Sequence, residues 1–211
     1  VAGDYNNSDD LKAVLDALGI EKAVILGCSM GGSAAINFTL QNPQRVLALI
    51  PICAGVDGFE VEDTADSEAQ WQQAVDAEKQ KDFDRYAEII VHLWIDGPRR
   101  KPEEVNPAVR AFVKDMLQTS LDTPEGLGNH IRPTPPAVER LREIHTPTLV
   151  IAGKEDVPEM APYAAKLAAE IPGARLVVLA NAGHLPNLER PAEFNRLLEG
   201  FLNDVLGGGE K

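Results

Sequence analysis

Ala23-Val24-Ile25-Leu26-Gly27-Cys28-Ser29-Met30-Gly31-Gly32 is the stretch on which the reading of the whole chain turns. Its four leading apolar residues do not alternate with polar ones, which predicts a strand buried on both faces of a parallel sheet. The small and apolar residues from Ser29 to Gln41 predict the helix that follows. A Gly27-x-Ser29-x-Gly31 pattern at a strand-to-helix junction predicts a sharp turn that lifts the serine hydroxyl above the sheet, with the glycines letting strand and helix pass closely. The backbone N–H of Met30 then sits at a helix N-terminus, where free donors and the helix dipole favour a developing negative charge.

The pattern extends in both directions. Leu11, Val14, Leu15 and Leu18 recur at helical spacing and predict a short helix, with Ser8 or Asp9 as its cap and Gly19 as its stop. No strand is expected before Ala23. After Asn42-Pro43, the run Val46 to Ile50 reads as a second buried strand. The same order returns later: Thr148 to Ala152 as strand, Ala161 to Ile171 as helix, Leu176 to Leu179 as strand, and Pro191 to about Leu206 as helix. Four strands alternating with helices predict an α/β fold with a parallel sheet of about four strands and flanking helices.

Between Val56 and His145 no convincing strand is visible, and helices are expected near Ser67 to Lys81, Phe83 to Ile95 and Pro107 to Leu121. This divides the chain into a first core part at 1–55, an all-helical insertion at 56–145 and a second core part at 146–211. Trp71, Phe83, Tyr86, Trp94 and Phe112 fall in the insertion, where they read as its own small core, a substrate-facing wall being the alternative. The insertion is expected to lie over the carboxyl edge of the sheet as a lid.

A serine hydroxyl is a weak nucleophile until a histidine accepts its proton and a carboxylate orients that histidine. His184, in Asn181-Ala182-Gly183-His184-Leu185-Pro186, follows the last strand and so lies on the carboxyl edge, where ligands gather in parallel sheets. His92 reads as part of a helical apolar face, His130 as a surface loop residue and His145 as strand entry. The acid expected to orient His184 is Asp156, in Gly153-Lys154-Glu155-Asp156-Val157-Pro158 after the third strand. Glu155 and Asp57 are its rivals.

Composition narrows the function classes. The chain has 211 residues, 44% hydrophobic and 25% charged, which suits one globular domain with an insertion. Twenty Lys and Arg against 33 Asp and Glu give a net charge of −13. Such a surface repels nucleic-acid phosphates and anionic lipid, so neither nucleic acid nor membrane is an expected partner. No run approaches the roughly 18 apolar residues of a membrane span, and Val1 to Asp10 lacks the basic and apolar regions of a signal peptide, which points to the cytoplasm. The two cysteines, Cys28 and Cys53, read as buried thiols.

The phrases Gly27-Cys28-Ser29-Met30-Gly31-Gly32, Gly153-Lys154-Glu155-Asp156 and Ala182-Gly183-His184-Leu185-Pro186-Asn187-Leu188-Glu189-Arg190-Pro191 resemble the nucleophile elbow, acid loop and histidine loop of the α/β-hydrolase family with a helical cap, in the family's order of Ser, acid and His. The resemblance implies the C-terminal part of that fold and a cofactor-independent serine hydrolase acting on a small ester, lactone or related acyl compound, with Ser29 as nucleophile, His184 as base and Asp156 as its orienting acid. The alternatives are a non-catalytic binding member of the family and an inactive fragment of a longer hydrolase. Cys28 stands where relatives often have His, and reads as packing. The family's second oxyanion donor comes from a loop, often rich in His and Gly, after an earlier strand; no such motif precedes Ala23. The expectation is therefore weak or no activity of the chain alone, and either self-association or an N-terminal segment completing the sheet.

Overall fold

The computed structural model describes residues 3–121 and 128–207. Four parallel strands form the main sheet in the order β2 (Ala23–Cys28), β3 (Val46–Ile52), β5 (Leu149–Gly153), β6 (Arg175–Leu179). Helices α1 (Asn7–Ala17), α2 (Met30–Gln41) and α6 (Met160–Glu170) cover one face, and α8 (Pro191–Leu206) covers the other. The unbroken apolar character of the central strands follows from this double cover: Val46, Leu49, Val150 and Ala152 pack toward Phe38, Ile36 and Leu167, while Ala48, Ile50, Ile52, Leu149 and Ile151 pack toward Phe194 and Phe201.

Burial on both faces holds for β3 and β5 but not for β2. That strand is an edge of the sheet, and its Leu26 is 45% exposed although the run reads as apolar as the others. An apolar run identifies a strand but does not say whether a neighbour covers it. Beside β2 runs an open groove of about 530 Å³ lined by Leu11, Ala23, Leu26, Met30 and Ala34 among others.

Two local expectations need correction. A strand does precede Ala23: β1 (Asp4–Tyr5) pairs in parallel with β4 (Asn129–His130), Asp4 against Asn129 and Tyr5 against His130. Two residues are too few to show alternation, and the partner is over a hundred residues away, so nothing local signals the pairing. It also makes the insertion not wholly helical. The cap of α1 is Asn6, whose side chain accepts from Ser8 N at 2.8 Å, whereas Ser8 is buried within the first turn and Asp9 and Asp10 follow it there, facing the positive end of the helix dipole.

Helices α3 (Ala65–Lys79), α4 (Phe83–Val91) and α5 (Pro107–Leu121) form a separate cluster around Ala87, Ile90, Leu93, Ile95 and Val113. Trp71, Tyr86 and Trp94 pack against it, while Phe112 is 52% exposed and belongs to no core. Val157 from the loop after β5, Leu185 from the loop after β6 and Leu188 from the short helix α7 (Pro186–Glu189) join the same cluster, so the helices rest on the carboxyl edge of the sheet. Helix α4 runs into a single π turn, His92–Asp96, closed by Gly97 N donating to His92 O at 2.8 Å.

Candidate active site

Ser29 leaves β2 with φ 53° and ψ −120°, a left-handed conformation rare for a residue with a side chain. Its N–H donates to Ile52 O at 2.9 Å, which ties the turn to β3. A Cβ on Gly27 would lie 2.1 Å from Gly31 O, and one on Gly32 would lie 2.5 Å from Ala54 Cβ; a Cβ on Gly31 would meet nothing within 4 Å. Close passage of strand and helix thus rests on Gly27 and Gly32, while Gly31 faces the open groove. Met30 is the first residue of α2, so its N–H belongs to the turn of donors that a helix leaves unpaired.

At the ends of β5 and β6 the chain builds a buried pair. His184 Nδ1 and Asp156 Oδ2 are 2.9 Å apart, with both residues at most 5% exposed. The other carboxylate oxygen of Asp156 accepts from Val157 N at 2.8 Å. Glu155 N donates to Ala182 O at 2.8 Å, which fastens the acid loop to the histidine loop. Three glycines make room for this crowding. A Cβ on Gly153 would lie 1.9 Å from Gly183 O, one on Gly183 would lie 2.5 Å from Trp94 O, and one on Gly97 would lie 1.8 Å from Glu155 O.

The rival acids have other side-chain partners. The Glu155 carboxylate accepts from Arg99 Nε at 2.9 Å, and the Asp57 carboxylate accepts from Asn37 Nδ2 at 2.6 Å. Among the other histidines, His92 pairs with the buried Asp96 at 3.1 Å, His145 is exposed, and His130 lies against Tyr5 with ring centres 5.2 Å apart and planes tilted by 45°. Ser29 opens on a cavity of about 370 Å³ whose walls include Asn37, Asp57, His130, Arg132 and Tyr163. Sequence alone gave no sign that His130 belongs there, because it arrives through the two-residue pairing of β4 with β1.

The insertion contributes to the site directly. His184 N donates to Trp94 O at 2.7 Å, and the two rings stack at 5.7 Å between centres with 28° between planes. Arg100, in the segment after the π turn, donates to Asp96 O and Ile95 O and meets Glu189 at 2.9 Å. Glu189 in turn accepts from Gly183 N at 2.6 Å. Burial pushes the Glu189 carboxyl above its ordinary range, with the Gly183 N–H and Arg100 opposing it.

Cys53 Sγ lies within 4.8 Å of ligand-type atoms of Asp156 and His184. Burial, then the Asp156 charge, raise its thiol well above the usual range, and burial pushes Cys28 up to about 12. Protonated thiols are poor metal ligands and poor nucleophiles. Cys28 Sγ instead approaches His184 O at 3.4 Å, so both thiols pad the underside of the histidine loop.

Comparison with known proteins finds relatives along nearly the whole chain. A 2-hydroxy-6-oxononadienedioate/2-hydroxy-6-oxononatrienedioate hydrolase from Pseudomonas putida is 30% identical over 216 residues, spanning 93% of this chain and 68% of the relative. Among solved structures, Est816, an N-acyl homoserine lactone degrading enzyme, is 30% identical with a TM-score of 0.64, covering 92% of this chain and 73% of that one. A hydrolase from Pseudomonas aeruginosa is 26% identical with a TM-score of 0.68, covering 96% and 74%. Residues 1–197 match the family model of the alpha/beta hydrolases, and the chain belongs to that family.

Proposed function

We propose that the chain is a serine hydrolase that cleaves a small ester, lactone or related acyl compound. The observation that carries this reading is the buried Asp156–His184 pair on the same sheet edge as the strained Ser29 turn. In the reaction, Ser29 Oγ bonds to the substrate carbonyl carbon as its proton passes to His184 Nε2, and Met30 N–H stabilises the oxyanion. Collapse of the tetrahedral intermediate expels the leaving group, which takes that proton from His184. Water then attacks the acyl-serine, giving its proton to His184, which passes it to Ser29 Oγ as the acid is released. Asp156 keeps the imidazole in the tautomer whose Nε2 is free to accept. Ser29 Oγ makes no hydrogen bond to His184 among the described residues, and this contact is of the kind that closes in the substrate complex.

The cavity of about 370 Å³ at Ser29 is of small-molecule size. The helical segment 56–145 serves as the cap, since it rests on the two loops that carry Asp156 and His184. The open edge of β2 is a pairing surface for a second copy of the chain or for a further segment that completes the sheet. Incubation with a fluorophosphonate probe followed by peptide mapping tests the catalytic reading. Labelling at Ser29 that is lost in Ser29→Ala is expected. No labelling of wild type at any protein concentration would refute catalysis by this chain and leave a binding role or an inactive fragment of a longer hydrolase.

A further inference from the structure

The cap holds the base in place as well as covering it: we propose that Trp94 is a positioning residue whose indole face fixes the His184 imidazole and steadies the cation it becomes. This rests on the hydrolase reading, with one readout that does not.

The local sequence explains why Trp94 is available. In a regular helix the Trp94 carbonyl would accept from the residue four positions on, but that residue is Pro98, which has no N–H. The π turn ends at Gly97, φ +67°, where the chain passes against Glu155 O. The last carbonyls of the turn are therefore free to find partners outside it. His184 N takes Trp94 O at 2.7 Å, and Arg100 takes Ile95 O and Asp96 O. The turn is anchored from behind by the fully buried Asp96, which meets His92 at 3.1 Å and Arg110 Nε at 3.2 Å. Its carbonyl and its indole thus both fall on one residue, His184.

The ring contact does something the other contacts do not. Asp156 fixes His184 Nδ1 at one point, and rotation about that single hydrogen bond still tilts Nε2 toward or away from Ser29. The indole, at 5.7 Å and 28°, restricts that tilt. An aromatic face within about 6 Å also attracts a cation. The imidazole is cationic only after it has taken the serine proton, so the attraction is stronger in the transition state than in the ground state and acts on kcat in preference to KM. Water is excluded on this side, since His184 is 5% exposed, which favours the upper part of the range for such contacts.

The experiment compares wild type, Trp94→Phe and Trp94→Leu. All three keep the main-chain carbonyl that accepts His184 N–H, so only the ring is tested. With a chromogenic ester, and active sites counted by fluorophosphonate, W94L is expected to lower kcat about five- to thirtyfold with KM changed less than twofold. W94F is expected to recover most of the loss. In parallel, the downfield proton resonance of His184 Nδ1–H, identified by its loss in Asp156→Asn, should stay sharp in W94F and broaden by exchange in W94L. A W94L protein with kcat within twofold of wild type and an equally sharp resonance would overturn the inference. A wild type that turns over no ester refutes the hydrolase, and the resonance then decides the positioning role alone.

Discussion

Gly183→Ala is the substitution that most directly probes how cap and sheet are joined. A methyl group there would lie 2.5 Å from Trp94 O and 3.1 Å from Ile95 O, both backbone atoms of the anchored π turn. Ordinary contact begins near 3.4 Å, so the histidine loop and the turn must separate by about 0.9 Å. The atom struck is the acceptor of His184 N–H, and the same displacement stretches that bond from 2.7 Å to about 3.6 Å, beyond hydrogen-bonding range. Overpacking of about 1–3 kcal/mol and a lost hydrogen bond of about 1 kcal/mol together predict about 2–4 kcal/mol of destabilisation. A base displaced by nearly 1 Å predicts a fall in kcat of about a hundredfold. Denaturant unfolding gives the first quantity, and ester turnover per fluorophosphonate-titrated site gives the second. Gly200→Ala, in α8 with nothing within 4 Å of its added Cβ, serves as the control and is expected to gain about 0.5–1 kcal/mol. A Gly183→Ala protein that keeps kcat within threefold and wild-type stability would show that the loop and turn are not rigidly coupled.

Asp156→Asn is expected to cost about 10⁴ in kcat by presenting the wrong tautomer of His184, and Asp57→Asn less than tenfold; the reverse order in steady-state assays would mean that the acid comes from the loop after β3. At pH 8 a thiol-alkylating reagent should modify neither Cys28 nor Cys53 in the folded protein and both after denaturation, because thiolate at Cys28 requires pH near 12; mass spectrometry that finds either cysteine alkylated at pH 8 in the folded state would contradict this. Burial raises the Glu189 carboxyl above 4.5, so the native state holds that proton more tightly than the unfolded chain does, and the contribution is full below that value and lost as pH rises. Wild type should therefore lose stability relative to Glu189→Gln between pH 4 and 7 in denaturant titrations, and an unchanged difference would count against it. Sedimentation should show concentration-dependent association through β2, where Leu26 is 45% exposed, and Leu26→Lys should abolish it; an equally monomeric wild type refutes pairing through this edge with a second copy.

The strands, and the positions of Ser29, Asp156 and His184 beyond their carboxyl ends, were readable because each carries its own local signature. Val46 to Ile52 is apolar on both faces, and Ser29 is flanked by glycines whose absence of a side chain is required at Gly27. Asp156 and His184 each close a strand, so parallel topology alone puts them on one edge. What was hidden depends on distant partners. Gly32 matters because Ala54 lies against it, and His130 reaches the cavity because Asn129 pairs with Asp4. Leu26 shows the opposite failure: its sequence reads as core, yet among the described residues no strand lies beside β2 on its outer side to cover it.

The contacts between cap and sheet change what the helical segment can be. A lid that only screens substrates by shape is expected to leave the chemistry intact when shortened and to broaden the range of substrates accepted. Here the segment 56–145 supplies the acceptor for His184 N–H, the ring stacked on its imidazole, and Arg100, whose partner Glu189 holds Gly183 N. Arg99 holds the neighbouring Glu155 from the same side. The loops bearing His184 and Asp156 thus meet the helical segment on one side, and the His184 loop meets Cys28 and Cys53 on the other. Replacing α3 to α5 by a short linker should therefore abolish Ser29 acylation by a fluorophosphonate, even though the reagent is small enough to need no pocket. Acylation at an undiminished rate in a folded, cap-deleted protein would mean that the sheet edge alone suffices to hold His184.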